Sequence, residues 1–203
     1  MEAFAVTDHG PGVADGAHSY HFQNLDAIPR KINGVVVLRG AECNIQNEKG
    51  IIDLEEWELK RLDVVIASIH QSRYSPKSEA EHTKVLTAVM DNPLVHILGH
   101  IEREQTGFDI EKVVKHAKKT KKLIEVNAAS LMGDGRIKNR CRDILAAGKK
   151  HDLPIVVTSD SHICYDVGNV ALSVELLNEV GYDFDLVMNT SLDKIKDYLG
   201  LKI

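Results

Sequence analysis

Short apolar runs, rich in Val and Ile and each ending at a residue able to hold a metal ion, constrain this chain more than any other feature. Phe4-Ala5-Val6-Thr7 leads to Asp8-His9, and Val35 to Leu38 continues through Arg39-Gly40-Ala41 to Glu42. Val64 to Ile69 precedes His70, and Val95 to Gly99 precedes His100. Leu123 to Val126 leads to Asn127, and Ile155 to Thr158 runs into Ser159-Asp160-Ser161-His162. Short buried runs separated by helix-like stretches predict alternating parallel strands and covering helices. In that α/β architecture the carboxyl ends of the strands face one side, and sites are built there. One His after an apolar run is ordinarily structural. His9, Glu42, His70, His100, Asp160 and His162 in the same relative position on separate strands predict a multinuclear metal site.

Between the strands the sequence carries its own punctuation. Gly10-Pro11-Gly12 breaks the chain after His9, as a loop above a strand end requires. Asp15 to Tyr20 reads as loop, and His21-Phe22 opens a short helix through Leu25 and Ile28. His18 and His21 overhang the expected site, and each reads equally well as a surface His. Asn33-Gly34 turns into the second strand, and Asn44 to Asp53 reads as a hairpin-like return around Asn47 to Gly50. Leu54 to Leu62, with the single Trp, predicts a short helix packed on the barrel. Gln71 to Pro76 belongs to the site face by position.

Ser78 with Glu81 matches a capping box for a helix that runs to about Met90 and stops at Asp91-Asn92-Pro93. Asp109 caps a helix with Ile110, Val113, Val114 and Ala117 inward. Ile137, Cys141, Ile144 and Leu145 mark another, with Gly148 as its terminator. Val170 to Val180 reads as helix, Leu186 to Met188 as a last short strand, and Thr190 with Asp193 as the start of a closing helix.

At 203 residues with no composition break, the chain reads as one domain over 1–203. The net charge of −5 comes without a basic groove, because Lys115 to Lys122 follows helical spacing as a solvated face. That balance disfavours a nucleic-acid partner. Cys43, Cys141 and Cys164 form no Cys-x-x-Cys pair, which suits a reduced, cytoplasmic protein. Cys43 lies beside Glu42 but reads best as a small buried thiol. No run is long enough for a membrane span, and the N-terminus has no signal-peptide profile.

Imidazole nitrogen and carboxylate oxygen suit Zn²⁺, Mn²⁺ or Fe²⁺. Asp160 and His162 lie two residues apart at a strand end, so both can turn to one face. Two cations about 3.5–4 Å apart can clamp a phosphoryl oxygen while lowering the pKa of a bridging water, and the resulting hydroxide is a nucleophile without Ser or Cys. No Gly-x-Ser-x-Gly elbow, P-loop or Gly-x-Gly-x-x-Gly competes with this chemistry.

Thr7-Asp8-His9-Gly10, Arg39-Gly40-Ala41-Glu42, the His70 and His100 strand ends and Ser159-Asp160-Ser161-His162 together resemble the PHP family, named for polymerase and histidinol phosphatase. With His21-Phe22 and the chain length, the likeness is greatest to its stand-alone bacterial phosphatases, and it runs from Ala3 to near the C-terminus. The resemblance implies a distorted (β/α)7 barrel with a trinuclear centre that hydrolyses phosphate esters. By that likeness His9 and His162 share one metal and Glu42 bridges the other two, His70 and His100 completing one and Asp160 serving the last. Arg39 is a candidate to hold phosphate, with a structural ion pair beneath the barrel rim as the competing reading.

The family's opening strand, ending in His-x-His, has no counterpart here, so the expected fold is that barrel without its first βα unit. The expected ligand set is correspondingly depleted. Glu42, His70 and His100 form its most complete part, with fewer than three ions bound and turnover impaired. An exposed barrel flank invites self-association into a homo-oligomer. The expected activity is hydrolysis of a small phosphate monoester by a metal-bound hydroxide, with Zn, Mn or Fe as cofactor. A phosphodiesterase or nuclease of the same family and a non-catalytic metal-binding remnant are the alternatives.

Overall fold

The computed structural model describes residues 1–133 and 135–203. In chain order it contains β1 (Ala3–Val6), α1 (Ser19–Asn24), β2 (Lys31–Ile32), β3 (Val35–Asn44), α2 (Glu56–Leu59), β4 (Val64–Ser68), α3 (Glu79–Met90) and β5 (Ile97–Leu98). There follow α4 (Ile110–Thr120), β6 (Leu123–Asn127), α5 (Ala128–Leu131), α6 (Gly135–Lys150), β7 (Ile155–Thr158), α7 (Ala171–Val180) and α8 (Leu192–Leu199). The strands form one sheet in the order β1-β3-β4-β5-β6-β7, every neighbour parallel, with β2 added antiparallel to β3. The sheet curls into an open half-barrel bounded by β1 and β7.

Both faces of the sheet are covered, which is why its strands read as continuous apolar runs. Val65 and Ala67 of β4 pack with Val85, Leu86 and Val89 of α3 and Val113, Val114 and Ala117 of α4. Val64 and Ile66 point the other way, into a cluster with Leu38, Ile97, Leu123 and Val156 that Ile195 of α8 closes. The register aligns the strand ends: Glu42 is opposite Ile66, Asn44 opposite Ser68, and Asn127 opposite Thr158. An isolated parallel bridge carries His9 alongside Glu42. Candidate ligands from distant parts of the chain therefore share one rim.

Local signals hold at most element ends and fail at four informative places. Ser78 accepts from the Glu81 amide at 3.2 Å as expected, but the Glu81 carboxylate bonds the Lys77 amide and the Tyr74 hydroxyl, so the reciprocal half of the capping box is not made. Gly148 does not end α6, which continues to Lys150; a Cβ there would lie 2.9 Å from the Tyr182 hydroxyl, so close packing explains the glycine. Leu186 to Met188 is not a strand but the junction of two 3₁₀ turns, Phe184–Leu186 and Met188–Thr190, with Val187 making one bridge to Ile155. The Asn189 side-chain amide donates to the Val157 carbonyl (2.6 Å) and accepts from its amide (3.0 Å), supplying the bonds a strand would have made. The closing helix is capped by Ser191, which accepts from the Lys194 amide at 3.2 Å, one residue beyond Thr190.

The hairpin-like return after Glu42 is present, with Ile45 bridged to Ile52. Leu59 anchors α2 against the core while Trp57 is half exposed. Among the described residues no helix is long and apolar enough to cross a membrane.

Candidate metal centre

Glu42, near the end of β3 and 7% exposed, is the hub of the rim. Its Oε2 lies 3.1 Å from His9 Nδ1, and its Oε1 lies 2.9 Å from His100 Nε2 and 3.6 Å from His70 Nε2. The imidazoles crowd together as well, with ring centroids 4.8 Å apart for His9 and His70 and 5.1 Å apart for His70 and His100. Among the described residues none of these three buried ring nitrogens makes a hydrogen bond: the His9 and His100 contacts to Glu42 are short but out of line, and the His70 contact is too long. One ligand atom each from His9, Glu42 and His70 lie within 4.8 Å of one another, a spacing a divalent cation can span. Buried polar atoms ordinarily find partners. A cluster of unpartnered nitrogens around a carboxylate fits a bound cation as its missing partner.

The supporting shell fixes His70. Asn44, two residues beyond Glu42 and therefore on the same strand face, donates its amide to the Gly10 carbonyl (3.0 Å) and to Asp53. That orientation turns the Asn44 carbonyl toward His70 Nδ1 at 2.6 Å. Only an Nδ1–H can complete this bond, which leaves the Nε2 lone pair facing Glu42, as a metal ligand requires. Burial also pushes His70 down to about 4, so the ring is neutral near pH 7. Burial would raise Glu42, but His100 and His9 outweigh it and hold the carboxyl far below its usual range. The same contact raises His9, and it raises His100 against the opposing effect of burial.

The backbone is strained at two of the candidate positions. His100 has φ +28° and Asp160 has φ +49°, in a region that non-glycine residues seldom occupy and that tends to mark functional sites. The His100 amide is held at 2.7 Å by the buried Glu125 carboxylate.

The remaining candidates are placed differently. Asp160 Oδ2 accepts from Arg103 Nη2 (2.7 Å) and Asn127 Nδ2 (3.0 Å). His162 stands at the rim, 70% exposed, with its ring 5.8 Å from that of His9 and its Nδ1 3.0 Å from the Asp160 carbonyl. His18 caps α1, accepting from the Tyr20 amide, and exposed His21 pairs with Asp8 at 3.0 Å. Cys43 is fully buried, and burial raises its thiol. Arg39 is spent on Asp26 Oδ1 (3.0 Å) and on the carbonyls of Asp26 (2.9 Å) and Ile28 (2.6 Å). Three residues from Glu42 on the same strand, it belongs to the opposite face, where the ion-pair reading applies. Asn44, Asp53 and Arg103 escaped the sequence reading, although the i+2 spacing of Asn44 from Glu42 was a usable signal.

An α/β half-barrel with a His-rich carboxylate hub at its strand ends is the framework of a hydrolase of the phosphatase class, and comparison with known proteins bears this out. A probable phosphatase of Caldanaerobacter subterraneus subsp. tengcongensis is 42% identical over 204 residues, spanning 100% of this chain and 80% of its own length. Probable phosphatases of Acetivibrio thermocellus and Clostridium botulinum are 41% and 38% identical over 202 residues each, with 84% and 83% of their lengths covered. The chain belongs to this family of bacterial phosphatases.

No family model matches the chain. Among solved structures, the histidinol phosphate phosphatase of Lactococcus lactis subsp. lactis, complexed with zinc, L-histidinol and phosphate, superposes with a TM-score of 0.59 at 13% identity over 90% of this chain and 83% of its own. A chain of an archaeal ribonuclease P complex with mature tRNA gives 0.67 at 17% identity, over 98% of this chain and 81% of its own. At these identities the two likenesses establish the fold.

Proposed function

We propose that this phosphatase is metal-dependent and of the PHP type, that Glu42, His9, His70 and His100 hold its ions, and that its substrate is a small phosphate monoester. The observation that carries this reading is the convergence on one buried carboxylate of three buried imidazole nitrogens that have no hydrogen-bond partner among the described residues. Zinc, manganese and iron all suit that nitrogen and oxygen donor set, and zinc accompanies the Lactococcus enzyme of the same fold. A divalent ion bound there would supply Lewis-acid polarisation of a phosphoryl oxygen and activation of water near neutral pH.

The chain's own residues prepare the site for that chemistry. Glu42 brings a full negative charge and two oxygens able to face different ions, His70 offers a neutral nitrogen, and Asn44 fixes its tautomer. His162, 70% exposed with its ring 5.8 Å from that of His9, stands on the solvent side of the cluster. The chain's net charge of −5 favours a compact monoester over a polyanionic nucleic acid.

The test is hydrolysis of p-nitrophenyl phosphate by the purified protein with added Mn²⁺ or Zn²⁺, before and after chelation. Turnover that chelation abolishes and metal restores is expected. Metal binding without turnover points to the non-catalytic alternative, and turnover indifferent to chelation overturns the metal reading.

A further inference from the structure

Donors from two sides of the rim end on one carboxylate, that of Asp53. The return after β3 bridges Ile45 to Ile52 and so sets Asp53 opposite Asn44. Asp53 Oδ1 accepts from the Asn44 backbone amide at 2.8 Å, while Oδ2 accepts from the Gly12 amide at 2.7 Å and from Asn44 Nδ2. The loop that follows His9 is shaped to admit this group. A Cβ on Gly10 would lie 2.5 Å from Asp53 Oδ1, and one on Gly12 would lie 2.8 Å from Oδ2, so the carboxylate accounts for both glycines of Gly10-Pro11-Gly12.

We infer that Asp53 is a positioning residue for the metal centre, a single carboxylate that holds His9 in place through the Gly10–Gly12 loop and His70 through Asn44. The inference rests on the metal-dependent reading above.

Two paths of hydrogen bonds carry it. Toward His70, the fully buried Asn44 places its Nδ2 between two acceptors, Asp53 Oδ2 and the Gly10 carbonyl at 3.0 Å. Only the NH₂ of an amide can face that pair, so the Asn44 carbonyl is turned to His70 Nδ1, 2.6 Å away. Without Asp53 one acceptor in place of two orients the amide. Toward His9, the chain is pinned directly after the imidazole. The Gly10 amide donates to the Glu42 carbonyl at 2.8 Å, the Gly10 carbonyl is held by Asn44, and the Gly12 amide is held by Asp53. Two candidate ligands that the sequence sets far apart therefore depend on one group. Among the described residues Asp53 bonds neither imidazole, so its influence on them runs through these bonds.

Zinc affinity, read by competition with a chromophoric chelator, is compared for wild type, D53A, D53N, N44A and the N44A/D53A double variant, with urea unfolding of each metal-free protein alongside. D53A is expected to bind Zn²⁺ about 10–100-fold more weakly, the usual effect of losing an orienting partner. D53N keeps one acceptor oxygen, which can serve the donors of Oδ1 or those of Oδ2 but not both, so it is expected to lose less than D53A. The double variant is expected to lose less than the two single losses combined, because both substitutions break the same path to His70. A role confined to folding would lower the unfolding free energy of D53A and leave the zinc affinity of the folded protein unchanged, and that result overturns the inference. Strictly additive losses of binding free energy also overturn it. Should D53A fail to fold, D53N decides by itself, wild-type affinity being the contrary result. Any of these outcomes leaves the Glu42 centre standing, whereas zinc absent from the wild type overturns both this inference and the metal reading on which it rests.

Discussion

His96 makes the stability of this protein sensitive to acid in a way that can be worked out from its position. It sits just before β5, and its backbone pairs on both sides, its amide donating to the Val65 carbonyl (2.9 Å) and its carbonyl accepting from the Leu123 amide (3.0 Å). Its Nδ1 accepts a further bond from the Val65 amide at 3.0 Å, which only an unprotonated Nδ1 can do. Burial, with the Lys122 charge adding to it, lowers the ring from 6.5 to about 4. A group whose folded pKa is depressed in this way is neutral in the native state while the unfolded chain takes up a proton. The contribution of this ring to stability is therefore fully present above the unfolded value of 6.5 and is lost as pH drops from there toward about 4.

Integrating that difference gives a loss of about 2 kcal/mol between pH 7 and pH 5 and about 3 kcal/mol by pH 4, from this ring alone. The perturbation is His96→Asn, whose side-chain oxygen can accept from the Val65 amide but does not titrate. Urea unfolding of metal-free wild type and variant at pH 7, 5 and 4 isolates the contribution, since every other group is common to both. The variant is expected to lose about 3 kcal/mol less than wild type over the full range. Parallel pH profiles for the two proteins would refute the reasoning.

Two further substitutions probe the site and its frame. Asn44→Ala removes the acceptor that fixes the His70 tautomer and is expected to weaken metal binding by about 10–100-fold, the usual effect of losing an orienting partner, read by competition with a chromophoric chelator. Gly99→Ala places a Cβ 2.1 Å from Ser68 Oγ and 2.8 Å from Ile66 Cγ2, so it is expected to cost about 1–3 kcal/mol in urea unfolding. Adding Ser68→Ala should recover part of that loss, and strictly additive effects would contradict the packing account.

The frame of this molecule is legible in its sequence because buried parallel strands write themselves as uninterrupted Val and Ile runs, and a polar residue at the end of such a run has few places to go but the rim. That logic located Glu42, His70 and His100, which the fold brings together, and His9, which a single bridge sets beside Glu42. It could not locate what depends on tertiary partners. The fate of Arg39 is decided by Asp26 and the Ile28 carbonyl, more than ten residues away and reached only through the fold. Asn189 replaces a strand by bonding through its side chain, which no β-pattern records. Gly148 reads as a helix end because the Tyr182 hydroxyl that demands it comes from a different helix–loop unit. Arg103 went unnoticed for the same reason, since a lone arginine in a loop acquires meaning only when Asn127, Ser130 and Asp160 surround it.

The central claim is that Glu42 and its three imidazoles hold the ions on which phosphatase activity depends. Its most direct test is the metal content of wild type and Glu42→Gln, measured by plasma mass spectrometry together with p-nitrophenyl phosphate hydrolysis and urea unfolding of the metal-free proteins. The account predicts stoichiometric metal and turnover in the wild type, and loss of both in a variant that still folds cooperatively. Metal content unchanged in the variant, or hydrolysis that persists after its metal is gone, would contradict it.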